Sequence, residues 1–345
     1  MALLTEGHLG VFTSKTAVCL VRYCRDEVVA VIDSKYAGQR LEDVIGIGRG
    51  VPLVASVREA LAERPDTLVI GVAPTGGRLA DAWRQGVLDA LRAGVTVVAG
   101  LHVDLADDPE FAAAARSSGA RIVDVRKSPE DLPIGTMKAA DARAFRVLTV
   151  GTDSNTGKMV AALELTLAAR AAGLDARFVA TGQTGIMIAG KGIAIDHVVS
   201  DFLAGAVERM VVEDSDADVL FIEGQGSLVH PGFSGVTLGL MHGALPQVMV
   251  LVHVVSRDKV RSCPREVRLP SLADMIELSE LVMKPIFPSK VVAVALNTVG
   301  LCDEDARRAV EETERATGLP TGDVIRFGAG PIFDAVKEAY DETAH

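Results

Sequence analysis

Apolar and polar positions along the chain alternate between short β-branched runs and longer amphipathic stretches. In the first half, the runs at 17–23 (AVCLVRY), 28–33 (VVAVID), 67–74 (TLVIGVAP), 95–100 (VTVVAG) and 121–125 (RIVDV) predict buried strands. The stretches at 56–65, 79–94 and 107–119 predict the helices between them. Short apolar runs alternating with helices of this size indicate a parallel, doubly wound sheet. The pattern lapses over 126–145 (RKSPEDLPIGTMKAADARAF), where two prolines mark a connector. It then resumes, with strands expected at 146–150, 176–185, 218–227, 247–255 and 290–300. Helices are expected at 158–172, from a cap at Asp196 through about 212, at 304–318 and at 331–340. The expected fold class is α/β, with one domain over 1–135 and a second over 136–345.

A length of 345 residues agrees with two domains. The chain is 49% hydrophobic but only 4% aromatic, so its apolar mass is mostly Ala, Val, Leu and Ile. That suits buried parallel strands under Ala-rich helices. A formal net charge of −11 excludes a basic field for nucleic acid. An anionic ligand must therefore be met by local donors. Four scattered cysteines, Cys19, Cys24, Cys263 and Cys302, show no metal-binding spacing and read as reduced thiols. The start, MALLTEGHLG, lacks the features of a secretory signal, and the densest apolar run, 248–255, is too short to cross a bilayer. A cytoplasmic protein is expected, with no nucleic-acid or membrane partner and with assembly into a homo-oligomer.

Chemistry concentrates at 149–165, TVGTDSNTGKMVAALEL. A strand, a glycine-rich turn and a helix opening at Gly157-Lys158 make a phosphate-binding loop. Such a turn aims backbone N–H groups and the positive end of a helix at an anion, and the lysine adds a point charge. The residue after the lysine usually supplies a hydroxyl to magnesium, but here it is Met159. A thioether cannot replace an oxygen on a hard cation. The loop should hold phosphates and serve poorly in metal-assisted phosphoryl transfer. A pyrophosphate that is held rather than cleaved, as in coenzyme A, fits better, and no metal is expected. In the first half, Asp33 ends a strand where a ribose-binding acid can stand, but without a supporting glycine fingerprint it reads as a structural acid.

GTDSNTGK resembles the loop of dethiobiotin synthetase and its relatives, and FIEGQGS resembles a later acidic segment of those enzymes, with Glu223 in the place of the acid. On a larger scale, GTDSNTGKM, ATGQTGIMIAG, DFLAGAVE, EGQGSLVHPGFSGVTLGLMHGA, VIGVAPTGGRLADAW and VVAGLHVDL together resemble the DgcN-like family. That family was long carried as a domain of unknown function, and its members are assigned as D-glutamate (D-amino acid) N-acetyltransferases. The resemblance spans both halves. It implies an N-terminal Rossmann-like domain, a C-terminal P-loop domain and acetyl-CoA as donor, and the main expectation built on it is acetylation of an acidic amino acid, D-glutamate or a related D-amino acid.

Acetyl transfer to an amine needs a base, donors for an oxyanion and donors for substrate carboxylates. Glu223 is the first candidate base, the alternative being a structural acid tied to Lys158. His230, in a Gly/Pro loop, is the second. His253, inside VLVHVV, reads as a core histidine, and His242 is left without a role. Gly151, Thr152, Asp153, Ser154, Asn155, Thr156, Gly157, Lys158 and Met159 form the coenzyme loop, and Asn297 is placed for adenine contact. Gln183, Thr184, Gly185, Lys191 and Arg257 are candidates for substrate binding, with a solvated surface site the alternative for Arg257 and Arg261. An ATP-dependent kinase or ligase of the dethiobiotin synthetase type is the competing enzyme class, and a coenzyme-sensing protein without chemistry is a third.

Overall fold

The computed structural model describes residues 1–11, 13–72, 76–263 and 265–343, and two compact units account for them. The first unit comprises Met1–Lys127 and Ile186–His197. Its sheet has six strands, β1 (Ala2–Leu4), β2 (Ala30–Ile32), β3 (Leu53–Val54), β4 (Thr67–Ile70), β5 (Thr96–Ala99) and β6 (Ile122–Asp124). All are parallel, in the order β3-β2-β1-β4-β5-β6. This is the doubly wound order of a Rossmann domain.

Side chains alternate between the two faces of this sheet, as a pleated strand requires. Ala2, Leu4, Ala30, Ile32, Leu68 and Ile70 share one core with Trp83, Val87 and Leu91 of the helix Asp81–Arg92. Leu3, Val31, Leu53 and Val69 share the other with Ala17, Leu20 and Val21. Those last three lie on the helix Lys15–Tyr23, so the segment expected to be the first strand is a helix. Six successive buried residues, Thr16–Val21, let a covering helix imitate a buried strand in one dimension. The true first strand, Ala2–Leu4, is too short to show a period.

The second unit comprises Ser128–Gly185 and Val198–His345. Its strands are β7 (Phe145–Gly151), β8 (Ala176–Val179), β9 (Val219–Ile222), β10 (Val248–Val254), β11 (Lys290–Asn297) and β12 (Thr321–Gly322). They too are parallel, in the order β12-β11-β10-β7-β9-β8. β7 is buried along its whole length and lies between β9 and β10. The C-terminal ends of these three strands therefore converge on one edge of the sheet, where ligands of open α/β sheets bind.

The units divide at 127/128, earlier than the expected 135/136, and the stretch 186–197 joins the first unit. Glu208, only 4% exposed, explains the earlier division, because its carboxylate accepts from Thr136 N and Oγ1 and from Lys138 N at 2.7–3.1 Å. Those bonds fix the connector to the second unit. Met187 and Ile188 pack on the core of the first unit, which assigns their stretch there. Asp196 is not the cap of a long helix. It pairs with buried Arg126, and the helix Ser200–Glu213 starts four residues later.

Candidate active site

β7 runs into the loop 151–157, and the helix Lys158–Ala171 follows. Asn155 (φ 51°) and Gly157 (φ 114°) adopt left-handed backbone, which turns the chain tightly enough to gather its N–H groups. The helix has no side-chain cap at Gly157 and no acidic residue in its first turn, so its positive end is left for an anion. Lys158 is only 5% exposed, and its Nζ donates to Asp153 O (2.8 Å) and Thr156 Oγ1 (3.4 Å), folded back over the loop. A Cβ at Gly151 would stand 2.8 Å from that nitrogen, and one at Gly224 would stand 1.6 Å from Thr149 O. The second position requires glycine, and a side chain at the first would displace the lysine. Met159 is buried, and its thioether gives the position after the lysine no oxygen.

Asp153 brings a carboxylate into this anion site but not its repulsion. It is fully buried, accepts from Ser154 N and Arg261 N (2.7 and 2.8 Å), and pairs with Arg257 at 3.1 Å. Arg257 also donates to Ser154 O (2.6 Å) and Asn155 O (3.4 Å). It is not a solvated surface arginine, and these donors brace the phosphate loop. Asn297 does the same from β11, donating to Thr156 O at 3.3 Å and accepting from Val299 N at 3.2 Å. Its amide thus helps to hold the loop.

Both expected bases hold loops together through hydrogen bonds. Glu223 follows β9 and is 4% exposed. Its Oε2 accepts from Thr181 N and Gly182 N, each at 3.0 Å, and Oε1 accepts from Gln225 Nε2 at 3.0 Å. A Cβ at Gly185 would stand 2.3 Å from Oε2, so the carboxylate sits flush against that glycine. Glu223 therefore ties the loop after β8 to the loop after β9. His230 is 5% exposed and stacks on Phe233 at 4.3 Å. Gly232 N donates to its Nδ1 (3.1 Å), which leaves Nε2 to donate to Arg261 O (3.0 Å). With one ring nitrogen accepting and the other donating, His230 has no lone pair left for a substrate proton.

Of the remaining candidates, Gln183, Thr184 and Gly185 open the helix Gln183–Ala189 in the loop that Glu223 holds. Lys191 is exposed and lies in the stretch that belongs to the first unit. The motif reading passed over several buried supports of the site. Thr149 Oγ1 donates to Lys158 O and accepts from Gly224 N, and Ser227 Oγ donates to Thr152 O. His253 is the penultimate residue of β10, and its Nδ1 lies 2.9 Å from Thr152 Oγ1 in the phosphate loop. Burial, with the nearby Arg257 cation, pushes its imidazole down to about 4. In the first unit, Asp33 is fully buried and accepts from Leu9 N and Lys35 N, which is the structural role expected for it.

Comparison with known families places this geometry. Residues 34–128 match a model described as a domain of unknown function (DUF1611_N), Rossmann-like domain. Residues 133–333 match the corresponding DUF1611_C P-loop domain, which is more than half of the chain. The chain belongs to the DUF1611 family. A solved DUF1611 family protein from Anabaena variabilis is similar over 98% of both chains, with 44% identity and a TM-score of 0.93. Two curated relatives are named D-glutamate N-acetyltransferase. The one from Tritonibacter scottomollicae is 38% identical over 81% of this chain and 84% of its own length. The one from a Pseudoalteromonas species is 35% identical over 80% and 83%. Among the described residues no helix of this DUF1611 protein is long and apolar enough to cross a membrane, and no three His, Cys, Asp or Glu side chains are grouped to hold a metal.

Proposed function

We propose that this DUF1611 protein moves the acetyl group of acetyl-CoA to the amino group of D-glutamate or a close D-amino acid. The observation that carries the reading is a phosphate loop with its lysine buried in place and an apolar Met159 where the metal-binding hydroxyl would stand. An anion held there needs no metal-assisted cleavage. The names of the two curated relatives support the acceptor and the transferred group. Acetyl-CoA fits as donor because its thioester is already activated and its pyrophosphate can serve as an anchor alone.

In this reading Lys158 and the N–H groups at the start of the helix Lys158–Ala171 hold the pyrophosphate. Arg257 and Asn297 keep the loop in shape, and Glu223 fixes the loops of Thr181 and Gly224 around the reacting groups. The donors for the substrate carboxylates come from the segment of Gln183, Thr184 and Gly185. A kinase or ligase would need magnesium, and the side chain of Met159 opposes that alternative. Turnover of D-glutamate with acetyl-CoA, assayed beside turnover with Mg-ATP, tests the reading. Activity with ATP alone would refute it.

A further inference from the structure

We infer that His253 is the group that takes the proton from the attacking amine, an inference that rests on the acetyl-transfer reading. The amine must lose a proton as it forms its bond to carbon, and an unspent acceptor beside the phosphate loop has to receive it. Glu223 has both carboxylate oxygens engaged by three donors. His230 has an N–H bonded to Nδ1 and a carbonyl on Nε2. His253 differs from both. Its Nδ1 meets Thr152 Oγ1 at 2.9 Å, while its Nε2 makes no hydrogen bond among the described residues and the residue is only partly buried.

The position suits the role. β10 pairs with β7 so that Val252 stands opposite Gly151, and Thr152 N donates to Val252 O at 3.1 Å. His253 therefore emerges at the first residue of the phosphate loop, on the strand next to the one that carries it. The groups around the ring are Thr152 from the loop, Leu296 opposite it on β11, and Arg257 with its partner Asp153. Burial, together with the facing Arg257 cation, keeps the imidazole neutral at physiological pH. With Nδ1–H donating to Thr152 Oγ1, Nε2 presents a lone pair, and the threonine fixes the orientation of the ring.

The step balances in protons and electrons. The amine attacks as the free base, its nitrogen bonds to the acetyl carbonyl carbon, and Nε2 takes the proton from the cationic nitrogen that this forms. The C–S bond then breaks, and the imidazolium returns its proton to the leaving sulfur. A weakly basic imidazole gives that proton back readily, because a thiolate is the stronger base.

His253→Asn tests the assignment, since its amide nitrogen can replace Nδ1 on Thr152 while the acceptor at Nε2 is lost. Turnover should fall by about 10²–10⁴-fold, with coenzyme A affinity by calorimetry unchanged. Turnover within about threefold of wild type would overturn the assignment. Nitrogen-15 spectra of the wild-type imidazole supply a second readout that needs no catalysis and no variant. They should show Nδ1 protonated and Nε2 bare at pH 7, and the opposite tautomer would overturn the assignment as well. A wild-type protein with no acetyl-CoA-dependent turnover would instead defeat the functional reading on which the inference stands.

Discussion

Each unit carries a buried carboxylate just past a strand that neighbours the first strand of its sheet. In the first unit Asp33 follows β2 and accepts from Leu9 N and Lys35 N. In the second, Glu223 follows β9 and accepts from Thr181 N, Gly182 N and Gln225 Nε2. Both acids staple neighbouring loops at the C-terminal edge of a parallel sheet. The helices that follow the opening strands differ. That of the first unit, Lys15–Tyr23, has an early N–H satisfied within the unit, Ala17 N on Gly71 O at 2.9 Å, and Ser14 Oγ exchanges bonds with Gly10. That of the second starts uncapped at Gly157 and carries a buried lysine in its first turn. Neither helix has a side-chain cap or an acid in its first turn, so what sets the second apart is the left-handed glycine before it and the buried lysine that opens it. The glycine turn and its lysine, rather than a strand-end acid, therefore distinguish the two units.

The largest expected effects come from removing the two acids. Glu223→Ala leaves three donors without their acceptor in a buried place and should cost on the order of 3 kcal/mol or more of stability. Coenzyme A binding should be lost with the loop geometry. Asp33→Ala removes the acceptor of two backbone donors and should cost about 2 kcal/mol, with coenzyme A affinity retained. Urea melts with calorimetry separate the two. Equal loss of binding in both variants would break the contrast between the units.

Lys158→Ala should act in the reverse sense, weakening coenzyme A by about tenfold or more while the melting temperature barely moves. Unchanged affinity would remove the phosphate loop from the account.

A smaller effect follows from His253. Its folded-state value of about 4 lies below the ordinary 6.5, so between those values the unfolded chain binds the proton more readily. Its contribution to stability is whole above about pH 6.5 and is lost as the pH falls through about 4. Wild type should therefore lose stability faster than His253→Asn across that window, measured as the difference between their melts. Parallel curves would contradict the burial of a neutral imidazole.

The smallest functional effect is expected of Met159→Thr. Burying a hydroxyl in an apolar site costs about 1–3 kcal/mol of stability. Acetyl transfer should not improve, although affinity for Mg-ATP can rise beside Glu223. A faster acetyl transfer in magnesium would contradict the role given to the methionine.

The phosphate loop was legible because its signal is local: a strand, two glycines at fixed spacing and a lysine within one short segment. Met159 was legible for the same reason. Asp196 was misread as a cap because its partner, Arg126, lies 70 positions away. The helix Lys15–Tyr23 was misread because packing on a sheet buries it almost as a strand is buried. His253 looked like a core residue inside an apolar run, and only the register of β10 on β7 brings it to Thr152. Glu223 and His230 were found at the site by motif, but the donors that occupy them come from other loops, which spacing along one chain does not reveal. The division of the chain escaped for a similar reason, since the connector is fixed by Glu208 far downstream.

The most direct test of the central claim is acetyl-CoA-dependent turnover of D-glutamate in excess EDTA, run beside an ATPase assay with magnesium. A phosphate loop that only anchors a pyrophosphate predicts an unchanged acetylation rate in EDTA and no detectable ATP hydrolysis. Loss of acetylation in EDTA, or a robust magnesium-dependent ATPase, would contradict the account and return the protein to the kinase and ligase class.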